Sequence, residues 1–148
     1  MPMRQTIVKT KEFFVPATQS DGTLTNLGDF PVHQLSGPTS QTARMTCKIP
    51  WDFVSLVSID VVFVDIVTNQ VTISIRTDYG ANGEAYNANT GAIANLSVAT
   101  IANNIVEYNI NAAVASLAAN DYLGVAITTR GSVLDDDVYV IGLKIRYE

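Results

Sequence analysis

Histidine and cysteine are nearly missing from this chain, which has one of each, His33 and Cys47, among 148 residues. A nucleophilic triad needs a histidine beside a serine or cysteine, and a zinc site with several histidine ligands needs more than one. His33 lies in a stretch flanked by Pro and Gly with no such motif around it, so neither chemistry can be assembled. A lone cysteine also rules out an intramolecular disulfide, and its alternation with Met45 and Ile49 reads as an inert strand thiol facing a core. The GxGxxG, P-loop and HExxH patterns are absent too, which removes the common nucleotide-binding and metalloprotease signatures.

Charge is also scarce. Charged residues make up 16% of the chain, against about 25% in an ordinary soluble protein. Thr, Asn, Ser and Ala fill the gap, a composition suited to β-rich surfaces covered by neighbours. The net charge of −5 argues against a general nucleic-acid partner, because phosphate neutralisation needs a basic face. The imbalance is uneven: residues 1–51 carry five basic and three acidic residues, whereas residues 52–148 carry four and eleven. No run approaches the roughly 18 apolar residues of a membrane span, and the N-terminus has no apolar stretch of signal-peptide length. The expectation is a chain without a membrane, made in a cytoplasm and kept there or released by lysis.

What the sequence does have is period-two patterning. From Ala43 onward, short apolar runs alternate with Gly, Asn, Asp and Pro clusters, the signature of a sandwich or barrel in a chain of one-domain length. Strands are expected near 43–49, 54–66, 70–77, 96–101, 104–110, 122–130 and 137–147. Val71, Ile73 and Ile75 share one face of their run, and Thr72, Ser74 and Arg76 the other. The run 54–67 is apolar on both faces: Val57, Ile59, Val61 and Phe63 line one, and Val62, Val64 and Ile66 the other. The second face calls for a cover, either a self-association partner or the N-terminal segment folded back. Residues 79–91 have the Gly and Asn density of an extended loop, and 111–119 fit one or two helical turns.

Residues 1–42 look unlike the rest, being rich in Pro, Gly, Ser and Thr with sparse apolar patches. They are expected to form an extended arm beside a 43–148 sandwich domain. In this reading Phe13 and Phe14 fill pockets on a neighbour while Arg4, Lys9 and Lys11 meet an acidic surface.

The acids suggest no catalytic pair. Asp60 with Asp65, or Glu84 with Glu107, have no spacing that selects them as glycosidase carboxylates, and they read as surface or edge charges. The run Asp135–Asp137 lacks the ligand order and glycine of an EF-hand and reads as an acidic turn. The expectation is a protein that is not an enzyme and uses no cofactor or metal.

Three stretches carry a resemblance: Ile49-Pro-Trp-Asp-Phe53, the run Leu117–Val125 (LAANDYLGV), and Asp137–Tyr147 (DVYVIGLKIRY). In that order, over roughly residues 45–148, they resemble the jelly-roll β-sandwich structural proteins of tailed bacteriophages. That group usually has Gly where this chain has Asn120. The resemblance implies an all-β, antiparallel jelly-roll-like sandwich and a virion structural role. The leading expectation is a capsid decoration or cement protein, a homotrimer that stabilises the phage head shell by contacting the major capsid protein. The alternative is a carbohydrate-recognition or tail-fibre module using Tyr79, Tyr86 and loop asparagines. An exposed tryptophan would favour that alternative, but Trp51, after a proline at a strand start, is expected to be half buried.

Overall fold

The computed structural model describes Met3 and residues 7–148. These contain the strands β1 (Lys11–Pro16), β2 (Gln19–Ser20), β3 (Thr23–Leu27), β4 (Phe30–Leu35), β5 (Thr42–Lys48), β6 (Leu56–Val64), β7 (Gln70–Gly80), β8 (Asn89–Ala99), β9 (Ile105–Asn109), β10 (Tyr122–Thr129) and β11 (Val138–Tyr147). A single 3-10 turn, Asn111–Val114, is the helical content expected over 111–119.

Strand pairing defines the architecture. One sheet runs β3-β4-β11-β6-β9 with β1 also on β11, the other runs β2-β5-β10-β7-β8, and every pairing is antiparallel. The pairs are nested: β7 with β8, β6 with β9, β5 with β10 and β4 with β11. A long two-stranded ribbon rolled so that its halves alternate between two sheets gives this order, which is a jelly roll.

Alternation builds the core. Val71, Ile73, Ile75 and Tyr79 of β7 meet Leu123, Val125 and Ile127 of β10 and, from the facing sheet, Ile59, Val61 and Phe63 of β6 with Leu143 and Ile145 of β11. Each such side chain removed from water stabilises the fold by about 1.5–3 kcal/mol. Asn120 turns the chain into β10 with a φ of +67°, a left-handed conformation that Asn tolerates better than most side chains. The Asp121 carboxylate then closes the turn by accepting from the Ala118 N–H.

The N-terminal segment departs from expectation. The boundary at residue 42 falls at the start of β5, and residues 11–35 form sandwich strands rather than an extended arm. β6 takes one edge of β11, and β1 and β4 share the other in series, β1 in register from Lys11 opposite Tyr147 to Pro16 opposite Gly142. The physical reason is that a segment too polar to build a core can still complete one. An unpaired strand edge supplies its hydrogen bonds, so one inward residue in two suffices, and here Phe13 and Val15 serve. On the second face of β6, the folded-back β3 and β4 lie in the same sheet, beside it across β11. Val62 and Val64 are each 6% exposed, Val64 in a cluster with Val32 and Tyr139 against Leu27 and Ile141, while Ile66 lies exposed beyond the end of β6.

Candidate functional site

β10 is the central strand of its sheet, and its outward residues after Tyr122 are small: Gly124, Ala126 and Thr128. Both flanking strands carry longer side chains in register with them. Ala126 lies opposite Arg44 of β5 and Arg76 of β7, and Gly124 lies opposite Thr46 and Asp78. A low central strand between two tall ones makes a trough of about 450 Å³, with Gly124 and Ala126 in its floor, Arg44, Arg76 and Asp78 in its walls, and Thr18 and Gln19 at its lip. At one end the Thr42 and Thr128 hydroxyls lie 2.9 Å apart and close the floor.

Arg44, Arg76 and Asp78 are exposed and form no ion pair among the described residues. Among the described residues the ion pairs are Lys11–Asp52, Arg130–Asp135 and Lys144–Glu107, and the two trough arginines belong to none. Asp78 follows Arg76 by two residues on the same face without bonding it.

Toward the other end, Tyr122 follows one rung beyond Gly124 on the same face. Tyr122 stands between Lys48 and Gly80 in register, with Lys48 Nζ 5.5 Å from its ring centroid. The β5–β6 and β7–β8 connections leave the sheet at this same end. The first carries Trp51, 81% exposed, and the second Tyr86, 79% exposed. The β7–β8 loop is held at its start by Glu84, whose carboxylate accepts from the Ala81 N–H at 2.9 Å.

A second depression, about 340 Å³, lies on the other sheet and is largely apolar, lined by Leu27, Phe30, Val32, Val64, Ile105 and Ile141 with Gly28 and Asn103.

The residues singled out from sequence are dispersed. Arg4 lies outside the described residues, and Lys9 is exposed. Lys11 bonds Asp52, holding that carboxyl below its ordinary value, and its Nζ sits 5.9 Å from the Tyr147 ring centroid. Phe13 packs edge-on against Tyr147 at 6.1 Å, and Phe14 is half-exposed beside Gly142. His33 is a strand residue: the Ala17 carbonyl can only accept, so Nε2 donates to it, and Nδ1 lies 2.8 Å from the Ser20 hydroxyl oxygen.

Each acid has a separate task. Asp65 is fully buried and accepts from the Thr100 hydroxyl and the Val67 N–H, Glu107 pairs with Lys144, and burial raises the Asp60 carboxyl. Asp135 takes Arg130 through two bonds, Asp136 takes Asn69, and Asp137 takes Gln34 and Gly37. Among the described residues no cluster of three His, Cys, Asp or Glu side chains could hold a metal ion.

Two aromatic expectations are reversed. Tyr79 is 2% exposed, with its hydroxyl accepting from the Ser116 N–H, because odd positions of β7 face inward. Trp51, expected to be half buried, is in solvent, while Phe53 turns in to stack on Tyr147. The trough residues themselves had a partial sequence signal, since alternation already put Arg76 on a wet face. Its pairing across Ala126 with Arg44 required the register of three strands far apart in sequence.

No known family's sequence profile matches the chain, and no curated protein matches it. Among solved structures it is similar to the CBM36-1 domain of a multidomain xylanase from the hindgut metagenome of Trinervitermes trinervoides, at 15% identity and TM-score 0.47, covering 91% of this chain and 96% of that one. It is also similar to the family 11 carbohydrate-binding module of the cellulosomal cellulase Lic26A-Cel5E of Clostridium thermocellum, at 8% identity and TM-score 0.47, covering 95% and 89%. A third is TmCBM61 in complex with β-1,4-galactotriose, at 11% identity and TM-score 0.37, covering 94% and 88%.

Proposed function

We propose that the chain is a non-catalytic glycan-binding module whose trough on β5, β10 and β7 takes a saccharide. The observation that carries this reading is the trough itself: an open floor of Gly124 and Ala126 between Arg44, Arg76 and Asp78, which form no ion pair among the described residues, with Tyr122 one rung beyond Gly124. Sugars present hydroxyls along their edges and C–H groups on their faces. Guanidinium and carboxylate groups make charge-assisted bonds to the first, and exposed rings pack against the second. A few placed polar groups in a concave surface are what orient a ligand.

Catalysis is a poor fit for the same surface. Glycoside hydrolysis uses two carboxyl groups across the scissile bond, and Asp78 is the one carboxylate lining the trough. Affinity electrophoresis through a panel of soluble polysaccharides tests the reading. At least one should retard the protein, and Tyr122→Ala or Arg76→Ala should abolish the retardation with no change in melting temperature. Retardation by none, or retardation that survives both changes, contradicts it.

A second reading, a phage virion protein that trimerises and contacts a capsid surface, draws on the apolar depression between Phe30 and Ile105 on the other sheet. Light scattering should then give a trimer mass that Phe30→Asp lowers to a monomer. A monomer mass for the unaltered chain removes this reading.

A further inference from the structure

We infer that the saccharide held by the trough is acidic, and that a uronate carboxylate sits over Ala126 between Arg44 and Arg76. This rests on the glycan-binding reading and adds the chemical class of the ligand. The first ground is the sign of the charge. The chain carries −5 overall, yet this face presents two arginines against one aspartate, with Lys48 beside Tyr122.

The second ground is register. Arg44 and Arg76 both pair with Ala126, so their backbones stand two strand spacings apart, about 9.6 Å, on either side of one small residue, and both side chains line the trough. Neither arginine faces an opposite charge in register, since the residue across from both is Ala126. Here the carboxylate that would relieve the pair is displaced by one step, to Asp78 opposite Gly124, and it bonds neither arginine. Two weakly hydrated guanidinium forks lining one trough on either side of an open floor fit a planar carboxylate, which each can bind through two parallel N–H groups.

The two halves of the trough then differ. The Arg44/Ala126/Arg76 rung takes the acidic group, and the Thr46/Gly124/Asp78 rung, nearer Tyr122, takes sugar hydroxyls. Gly124 matters there because the absence of a side chain lets the ring approach the sheet.

The test uses the full chain in affinity electrophoresis and isothermal titration with polygalacturonate, alginate and hyaluronate, each beside its methyl-esterified form, and with dextran sulfate and neutral β-glucans. The expected result is binding to at least one uronate polymer that weakens about tenfold or more on esterification and by a similar factor in Arg44→Gln or Arg76→Gln, with melting temperatures unchanged. Binding should also fall as salt rises toward 1 M, where the Debye length is about 3 Å. Equal binding of an acid polymer and its ester, or binding of neutral glucans alone, overturns the acidic assignment and leaves the glycan reading standing. Binding of dextran sulfate without any uronate polymer overturns the carboxylate. Failure to bind any polymer overturns both.

Discussion

Gly142 is the glycine of the closing-strand motif, and its role is steric. A Cβ there would lie 2.2 Å from the Val15 carbonyl oxygen and 2.6 Å from the Phe14 ring, so β1 rests directly on the backbone of β11. Because the nearer obstacle is main chain, Gly142→Ala should cost about 2 kcal/mol or more and loosen β1 first, visible as a lower denaturation midpoint and faster proteolysis near residue 10. Cys47 gives a contrasting residue-scale expectation. Burial pushes its thiol up to about 11, so thiolate is scarce at pH 8 and a disulfide reagent should react slowly with the folded chain and fast in denaturant. Rapid labelling of the native protein would show the thiol to be accessible. Asp60 sets a pH dependence. Burial holds its carboxyl above the ordinary value, so the folded chain binds this proton more readily than the unfolded one, and its contribution becomes less favourable as pH rises. Asp60→Asn should therefore raise the melting temperature at pH 7 and lose that advantage below about pH 4.

At the scale of elements, β5, β6, β7, β10 and β11 were legible because each turns a run of buried side chains inward, so the β pattern survives in the sequence. Residues 70–77 fall within β7 and 122–130 match β10 almost to the residue. The elements that were not legible lack that contrast. β8 is exposed along most of its length, and its first half, Asn89–Asn95, has the composition of a loop. β1 to β4 contribute few inward residues to a core built by others, so they read as an arm. That difference has a measurable consequence for β1. If residues 1–42 were an arm, deleting residues 1–15 would leave the sandwich unaffected. With β1 paired along β11, Phe13 on Tyr147 and Lys11 on Asp52, the deletion should instead lower the denaturation midpoint clearly. An unchanged midpoint would return β1 to the status of a detachable arm.

For the whole molecule, the jelly roll places two unlike surfaces back to back: the polar trough on β5, β10 and β7, and the apolar depression between β3, β4, β6, β9 and β11. The sandwich class followed from alternation and turn spacing alone. The trough did not, because nesting brings residues 44, 76 and 126 to one rung only after the ribbon has rolled, and no short motif records that meeting. Trp51 was misplaced for a related reason, since it sits in the chain reversal that carries β5 over into the facing sheet. The central claim is that this rung binds sugar. Its most direct measurement is a nitrogen-proton correlation titration of the labelled protein with neutral and uronate oligosaccharides. The account expects saturable shifts centred on the amides of Arg44, Arg76, Gly124 and Ala126. No shifts with any oligosaccharide, or shifts confined to Leu27, Phe30 and Ile105, would contradict it.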